Sequence, residues 1–112
     1  MIILNKKIDR ADLLENAEFS YNNEMIKGVV DIEKQLLAID GEMHADLEQL
    51  LLSQGSNQDF LWGINLYPED EDDFVEFDSM INIRPRQNNR TRSVEDENIR
   101  KQIISVVEKW IN

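Results

Sequence analysis

Residues 74–92 read Phe-Val-Glu-Phe-Asp-Ser-Met-Ile-Asn-Ile-Arg-Pro-Arg-Gln-Asn-Asn-Arg-Thr-Arg. The first half of this stretch alternates apolar and polar residues, which is the pattern of a half-buried strand. A strand over residues 74–84 would carry Val75, Phe77, Ser79, Ile81 and Ile83 on its inner face, and Glu76, Asp78, Met80, Asn82 and Arg84 on its outer face. Pro85 has no N–H to donate to a sheet and is predicted to end the strand.

The second half of the stretch is a basic loop in an acidic chain. It contains four arginines, which are Arg84, Arg86, Arg90 and Arg92. Ser93 is predicted to cap the last helix, with Asp96 where a capping box usually has Glu or Gln. Free N–H groups and the helix dipole at a helix start attract anions. The loop is therefore a candidate site for a phosphate, a carboxylate or an acidic segment of a partner. A solvated loop whose arginines pair with nearby acidic residues would explain the same pattern.

The segment before residue 74 is predicted to pair with this strand in a hairpin. Residues 60–67 alternate in the same way, and their core face carries Phe60, Trp62, Ile64 and Leu66. Residues 69–73 are all acidic, and such a run stays in water as a turn because its charges repel one another. Trp62 is therefore predicted to be buried between the sheet and a helix.

The first half of the chain is predicted to hold a short strand, a helix and a second hairpin. The strand covers residues 2–4, and the helix begins at Asp9, has Leu13, Leu14 and Ala17 on its inner face and stops at residues 20–23. Residues 25–40 are rich in β-branched residues, which favours a hairpin turning at Glu33-Lys34. That turn lacks the glycine or asparagine of common hairpin tips, so a helix over residues 31–39 is the alternative.

Two further amphipathic helices complete the predicted order. One opens at residues 40–42 and ends at Gly55, and the other carries an apolar stripe made of Ile99, Ile103, Val106, Val107 and Trp110. The order is β-α-β-β-α-β-β-α. It predicts an α+β fold in which a mainly antiparallel, two-layer sheet of 4–5 strands is packed by three helices, with residues 1–112 as a single domain.

Composition limits the classes of function. The chain has 112 residues, no cysteine and a formal net charge of −11, so disulfides and cysteine nucleophiles are excluded. The apolar start is too short to span a bilayer and has no signal-peptide layout, which predicts a cytoplasmic protein without membrane contact. The negative field makes broad nucleic-acid binding unfavourable, and it suits a basic protein partner.

A second candidate site is the outer, polar face of the predicted sheet. It would gather six side chains, namely Lys27, Asp31, Asn65, Asp78, Asn82 and Arg84. Arginine can hold an anion through two N–H bonds and asparagine can fix its orientation. The simpler interpretation is that one face of an antiparallel sheet is often wet and polar.

His44 is the only histidine, and it lies four residues before Glu48 on one helix face. Two such groups are too few for an ordinary metal site, so no metal and no cofactor is predicted. A small enzyme is an alternative, in which His44 or Asp78 carries a proton and Arg84 stabilises charge.

Three stretches carry a resemblance to a known family. They are Lys27-Gly28-Val29-Val30-Asp31-Ile32-Glu33, Glu42-Met43-His44-Ala45-Asp46-Leu47-Glu48 and Phe77-Asp78-Ser79-Met80-Ile81-Asn82-Ile83-Arg84-Pro85-Arg86. Together they resemble a family of short prokaryotic proteins known only as a domain of unknown function. The resemblance implies no activity, but it draws attention to residues inside the three stretches, which are Asp31, His44, Asp46, Asp78, Asn82, Arg84 and Arg86.

The sequence thus predicts a small cytoplasmic binding module. Its ligand would be an anionic molecule or an acidic peptide, bound by Arg84, Arg86, Arg90 and Arg92 with Asn82 and Asp78 orienting it. The alternatives are an acidic protein-interaction partner and the small enzyme described above.

Overall fold

The computed structural model of the chain describes residues 1–15 and 25–112. Its strands are β1 (Ile2–Ile3), β2 (Ile26–Asp31), β3 (Leu36–Ile39), β4 (Leu61–Leu66) and β5 (Val75–Glu76), and its helices are α1 (Arg10–Glu15), α2 (His44–Ser53) and α3 (Glu97–Trp110). The strands form one antiparallel sheet in the order β1-β3-β2-β4-β5. The predicted α+β class, strand number and element order are confirmed. None of the helices in the described ranges is long and apolar enough to cross a membrane.

The β2–β3 hairpin is present, and the alternative helix over residues 31–39 is wrong. The turn is built around Asp31, whose Oδ1 accepts hydrogen bonds from the backbone N–H groups of Glu33 and Lys34, both at 2.9 Å. Gln35 takes the left-handed conformation with φ of 58°. Asp31 is fully buried, and its Oδ2 accepts from the Ser56 hydroxyl at 2.7 Å. A buried aspartate therefore supplies the turn chemistry that the hairpin tip lacks.

The sheet is covered on both faces. On one face Trp62, Ile64 and Leu66 of β4 pack with α1 and α3, and on the other face Leu61 and Val29 pack with Leu47 and Leu51 of α2. The predicted stripe of α3 and the burial of Trp62, which is 1% exposed, are confirmed. The three helices are thus divided between the two faces. The face expected to be wet is covered over much of its area by α2.

The predicted start of α1 at Asp9 agrees with the structure to within one residue, whereas the predicted cap of α3 does not. The carboxylate of Asp12 accepts from the backbone N–H of Asp9 at 2.9 Å, which closes the start of α1. The predicted end of this helix at residues 20–23 lies outside the described residues. The prediction that Ser93 caps the last helix is wrong, because Asp96 Oδ1 accepts from the N–H groups of Asn98 and Ile99 and α3 begins at Glu97. Aspartate is as good a cap as serine, so Asp96 can take this role three residues further along the chain.

The predicted strand over residues 74–84 is wrong beyond Glu76. After β5 the chain leaves the sheet and forms two short 3-10 turns at Met80–Asn82 and Pro85–Gln87. The first turn is closed by Ser79, whose hydroxyl accepts from the N–H of Ile81 at 3.3 Å. The alternation of residues was real, but local side-chain hydrogen bonds to the backbone compete with the ladder here.

Candidate functional site

A row of polar side chains crosses three strands at one end of the sheet. Lys27 of β2 lies opposite Asn65 of β4, and Asn65 lies opposite Glu76 of β5. Side chains directly opposite one another on antiparallel strands share a face and approach closely. The row therefore places an amine, an amide and a carboxylate side by side, on the face that α2 covers further along.

Asn65 is the centre of the row, and it is only 5% exposed. Its Nδ2 donates to Glu76 Oε1 at 2.8 Å and to the backbone oxygen of Asp78 at 3.2 Å. These two acceptors fix the orientation of the amide, because an oxygen in place of Nδ2 would face two oxygens. The other amide atom, Oδ1, is buried near the His44 ring, but no hydrogen bond of normal geometry reaches it from the described residues. A buried acceptor of this kind costs about 1–3 kcal/mol unless a donor reaches it.

His44 is the first residue of α2 and lies against the same end of β4. Its Nε2 is 2.8 Å from the backbone oxygen of Ile64. A carbonyl can only accept, so Nε2 carries the proton and Nδ1 of the neutral ring is left as an acceptor. Burial lowers the pKa of His44 below its ordinary value of 6.5, and the charge of Lys27 lowers it further, against the opposing contributions of Ile64, Asn65 and Asp78. The ring is therefore neutral at pH 7.

These residues line a groove of about 520 Å³. The described residues around it are Met25, Lys27, Met43, His44, Ala45, Asn65, Tyr67, Glu76, Asp78, Ser79, Met80, Ile81 and Arg92. We call this set the groove. Its size lies within the range of small-molecule sites.

The two cations of the groove already have acceptors. Lys27 Nζ donates to the backbone oxygen of Glu42 at 2.7 Å, and Arg92 Nε donates to Asp78 Oδ1 at 2.7 Å. Tyr67 donates to Glu76 Oε1 at 3.1 Å. The side chain of Met43, which is the N-cap residue of α2, makes no capping bond. One donor of Lys27, one donor of Arg92 and the hydroxyl of Tyr67 thus have acceptors within the protein.

Methionine is concentrated at the groove. The chain has four methionines, and Met25, Met43 and Met80 all line it. Met43 and Met80 are 60% and 66% exposed, so both lie at its mouth. Methionine is flexible and polarisable and adapts to varied apolar shapes.

Arg84, which the sequence placed at the anion site, instead holds the structure together. Its guanidinium donates to the backbone oxygens of Ile81, Gln58 and Leu61. It also lies over the ring of Trp62 at 4.6 Å. Burial lowers its pKa, partly offset by Glu48, whose carboxylate is 4.0 Å away. The expectation that Arg84 faces solvent is wrong, because its donors are taken up by carbonyl groups at the far end of β4.

The other loop arginines do not gather around one point. Arg86 pairs with Asp59 at 3.0 Å and is exposed, whereas Arg92 lies in the groove and pairs with Asp78. At Arg90 the backbone N–H is bonded to Glu95 Oε2. The loop is held from inside by Asn89, which is 3% exposed and donates to the backbone oxygens of Asn82, Thr91 and Ser93.

The remaining predicted site residues divide between the groove and the core. His44 and Asp78 line the groove, whereas Asp31 and Asn82 are fully buried in hydrogen bonds to the chain itself. The expectation that Asn82 faces solvent is wrong. Sequence reasoning placed Lys27, Asn65 and Asp78 on one polar face correctly, but it left Glu76 and the methionines out of the site. The sequence did contain a signal for Glu76, because Glu76 and Asp78 lie on the same outer face of the predicted strand over residues 74–84.

Comparison with known proteins identifies the class of protein. The chain belongs to a family of proteins of unknown function. The matching family is described as "Protein of unknown function (DUF5674)", and its model covers residues 2–110. The resemblance of the sequence to a domain of unknown function is thereby confirmed. No curated protein and no solved structure shows significant similarity to the chain.

Proposed function

We propose that the chain is a small binding module whose ligand occupies the groove. The observation that carries this proposal is the buried, unpartnered Oδ1 of Asn65, a residue that lines a concave site of about 520 Å³. Polar atoms buried without a partner are rare in stable domains and are costly to keep. A ligand that donates to Oδ1 would remove that cost, which makes the groove a better candidate than the arginine loop.

The anion site expected at the arginine loop has less support than the groove. The donors of Arg84 are taken up by three carbonyl groups, and Arg86 and Arg92 pair with carboxylates that an anion would have to displace. Exposed pairs such as Arg86–Asp59 contribute only about 0–1 kcal/mol. They give no sign of a site built around the loop.

The structure gives little support to an enzyme in which His44 or Asp78 carries a proton and Arg84 stabilises charge. His44 and Asp78 share the groove, but Arg84 bonds to Leu61, four residues before Asn65 on β4. That separation corresponds to about 13 Å along a strand. Arg84 is therefore a poor candidate for stabilising charge on a substrate bound beside His44. The cytoplasmic location is part of the proposal and rests on the absence of cysteine.

Thermal unfolding with a panel of small polar compounds tests the proposal. The panel contains amines, amides, alcohols, carboxylates and phosphates at millimolar concentration. We expect one class to raise the melting temperature of the wild type. The same class should have no effect on the Asn65→Leu variant, which keeps the volume of the side chain but removes Oδ1. Arg86→Ala is the matched control and should respond like the wild type.

Three outcomes would contradict the groove as the site. They are a stabilising effect that survives Asn65→Leu, an effect that is lost in Arg86→Ala, and no effect of any compound class on the wild type. If Asn65→Leu does not fold, chemical-shift mapping of the same compounds on the wild type replaces it, and shifts at His44, Ala45 and Ser79 are then required.

A further inference from the structure

Resting on the proposed function, we propose that the group bound in the groove is a primary ammonium on an unbranched alkyl stem. The ammonium would donate to Asn65 Oδ1, and the stem would lie across Met43 and Met80. Two sources share this chemistry, namely a free aliphatic amine and the side chain of a lysine in a partner protein.

Several acceptors in the groove have capacity left for a further donor. Asn65 Oδ1 has no partner among the residues described, and Nδ1 of neutral His44 is an acceptor because Nε2 donates to Ile64. In the described contacts Glu76 and Asp78 each accept through one carboxylate oxygen, and a carboxylate has about four lone-pair sites. An ammonium brings three N–H donors and no acceptor. It therefore complements these acceptors, and above all the buried oxygen of Asn65.

The charges point in the same direction. Lys27 and Arg92 are balanced inside the groove by Glu76 and Asp78, and one N–H of each cation is directed at Glu42 or Asp78. The local formal charge is thus neutral, while the whole chain carries −11. A field of that sign draws cations toward the surface and repels anions.

The mouth of the groove suits an alkyl stem. Met43 and Met80 expose 60% and 66% of their surface there, next to the half-buried Ile81. Unbranched thioether side chains pack adaptably against an unbranched hydrocarbon. A lysine side chain and an alkylamine both have a stem of this kind behind a single ammonium.

Calorimetric titration with pentylamine, pentanol and pentanoate tests the assignment of the head group. All three have the same stem, and we expect only pentylamine to bind the wild type. Methylammonium has no stem and should bind more weakly than pentylamine. Comparing 1,5-diaminopentane with a short peptide that contains one lysine distinguishes the sources. Tighter binding of the diamine indicates a free amine, and tighter binding of the peptide indicates a partner protein.

Variants at the mouth test the stem without disturbing the core. Met43→Ser combined with Met80→Ser should weaken pentylamine about tenfold, equivalent to about 1.4 kcal/mol, and leave methylammonium unchanged. Both residues are exposed, so the double variant should fold. Arg86→Ala should bind pentylamine like the wild type.

Four results would overturn the inference. They are equal binding of pentanoate or pentanol, no binding of any amine, an amine affinity that the double methionine variant does not change, and amine-induced chemical shifts confined to the acidic residues 69–73. Groove binding by a compound class other than amines would refute this inference and leave the proposed binding module standing. Absence of groove binding by every class would refute both.

Discussion

The side chain of Asn82 forms two hydrogen bonds with the backbone of Gly63. Asn82 Oδ1 accepts from the N–H of Gly63 at 2.8 Å, and Nδ2 donates to its carbonyl oxygen at 2.9 Å. The amide thus occupies the place that a neighbouring strand would take beside β4, since β5 pairs only with Asn65 and Leu66. This contact fixes the segment that carries Asp78 and Met80 against the sheet, and so shapes one wall of the groove.

Gly63→Ala should destabilise the protein by about 1–3 kcal/mol, which is usual for overpacking. A Cβ at this position would lie 2.5 Å from Ser79 Cβ and 2.6 Å from Ser79 Oγ. The segment held by Asn82 would have to move away. Urea unfolding measures the loss.

Gly28→Ala is the matched control for this change. Gly28 also lies in a central strand, but the nearest atom to an added Cβ is 3.4 Å away at Ile64. We expect the urea concentration at the midpoint of unfolding to be nearly the same for Gly28→Ala and the wild type. Equal losses in the two variants would contradict the close approach of residues 63 and 79.

Asn82→Asp should be among the most damaging changes of nearly constant shape. The substitution removes Nδ2, which donates to the backbone oxygens of Gly63 and Arg92, and puts a carboxylate oxygen in its place in a fully buried position. Each buried polar group left unpaired costs about 1–3 kcal/mol.

Asn88→Asp provides the comparison for Asn82→Asp. Asn88 is exposed and left-handed with φ of 60°, a conformation that aspartate also tolerates. Guanidinium unfolding at neutral pH should show a large loss of unfolding free energy for Asn82→Asp and little change for Asn88→Asp. A loss at residue 82 below about 1 kcal/mol would be inconsistent with the paired amide.

Arg84→Ala should destabilise the protein by about 3–5 kcal/mol, because it removes the donor of three carbonyl groups and the cation beside a largely shielded carboxylate. Three carbonyl groups lose their donor, and the Glu48 carboxylate, 15% exposed, loses its nearest cation. Arg86→Ala removes an exposed pair with Asp59 and should change stability by less than about 1 kcal/mol. Thermal melts of both variants test the difference. Similar small effects would mean that Arg84 is not structural.

His44 should make stability fall on mild acidification. The pKa of His44 in the folded chain lies below the ordinary 6.5 because the ring is buried. At any pH between the folded-state pKa and the unfolded-state pKa, the unfolded chain therefore binds more protons than the folded chain. The unfolding free energy therefore rises with pH in that window. The contribution of neutral His44 is fully present above about pH 6.5 and is lost as the pH falls through the folded-state pKa.

The His44→Gln variant isolates this effect from the titration of carboxylates. The difference in unfolding free energy between wild type and variant should shrink as the pH falls below 6.5. An NMR titration of the ring protons should give a pKa below 6.5 in the wild type. A pKa at or above 6.5 would refute the buried, neutral ring.

The regular elements were predictable because their signals are local and periodic. The stripe on α3 and the alternation around Trp62 follow from hydrophobic spacing, and both pack as predicted. Residues 77–84 were not predictable in the same way. Their alternation fits a strand, but Ser79 and Asn82 satisfy the backbone with side chains and end the ladder early.

The site was predictable only in part, for a related reason. Lys27, Asn65 and Glu76 share a face by strand period alone, whereas the approach of His44 depends on how α2 crosses the sheet. The four arginines looked like a single site because they are close in sequence. Arg84 instead donates to backbone carbonyl groups near the start of β4. Every residue has such a carbonyl, so the sequence does not show which of them will accept from an arginine.

Chemical-shift mapping of bound compounds on the labelled wild type is the most direct test of the groove as the binding site. The account predicts that a binding compound shifts the side-chain amide of Asn65 and the backbone amides of Ala45 and Ser79, while the amides of residues 86–90 stay in place. Shifts centred on residues 86–90, with the Asn65 side chain unaffected, would contradict it.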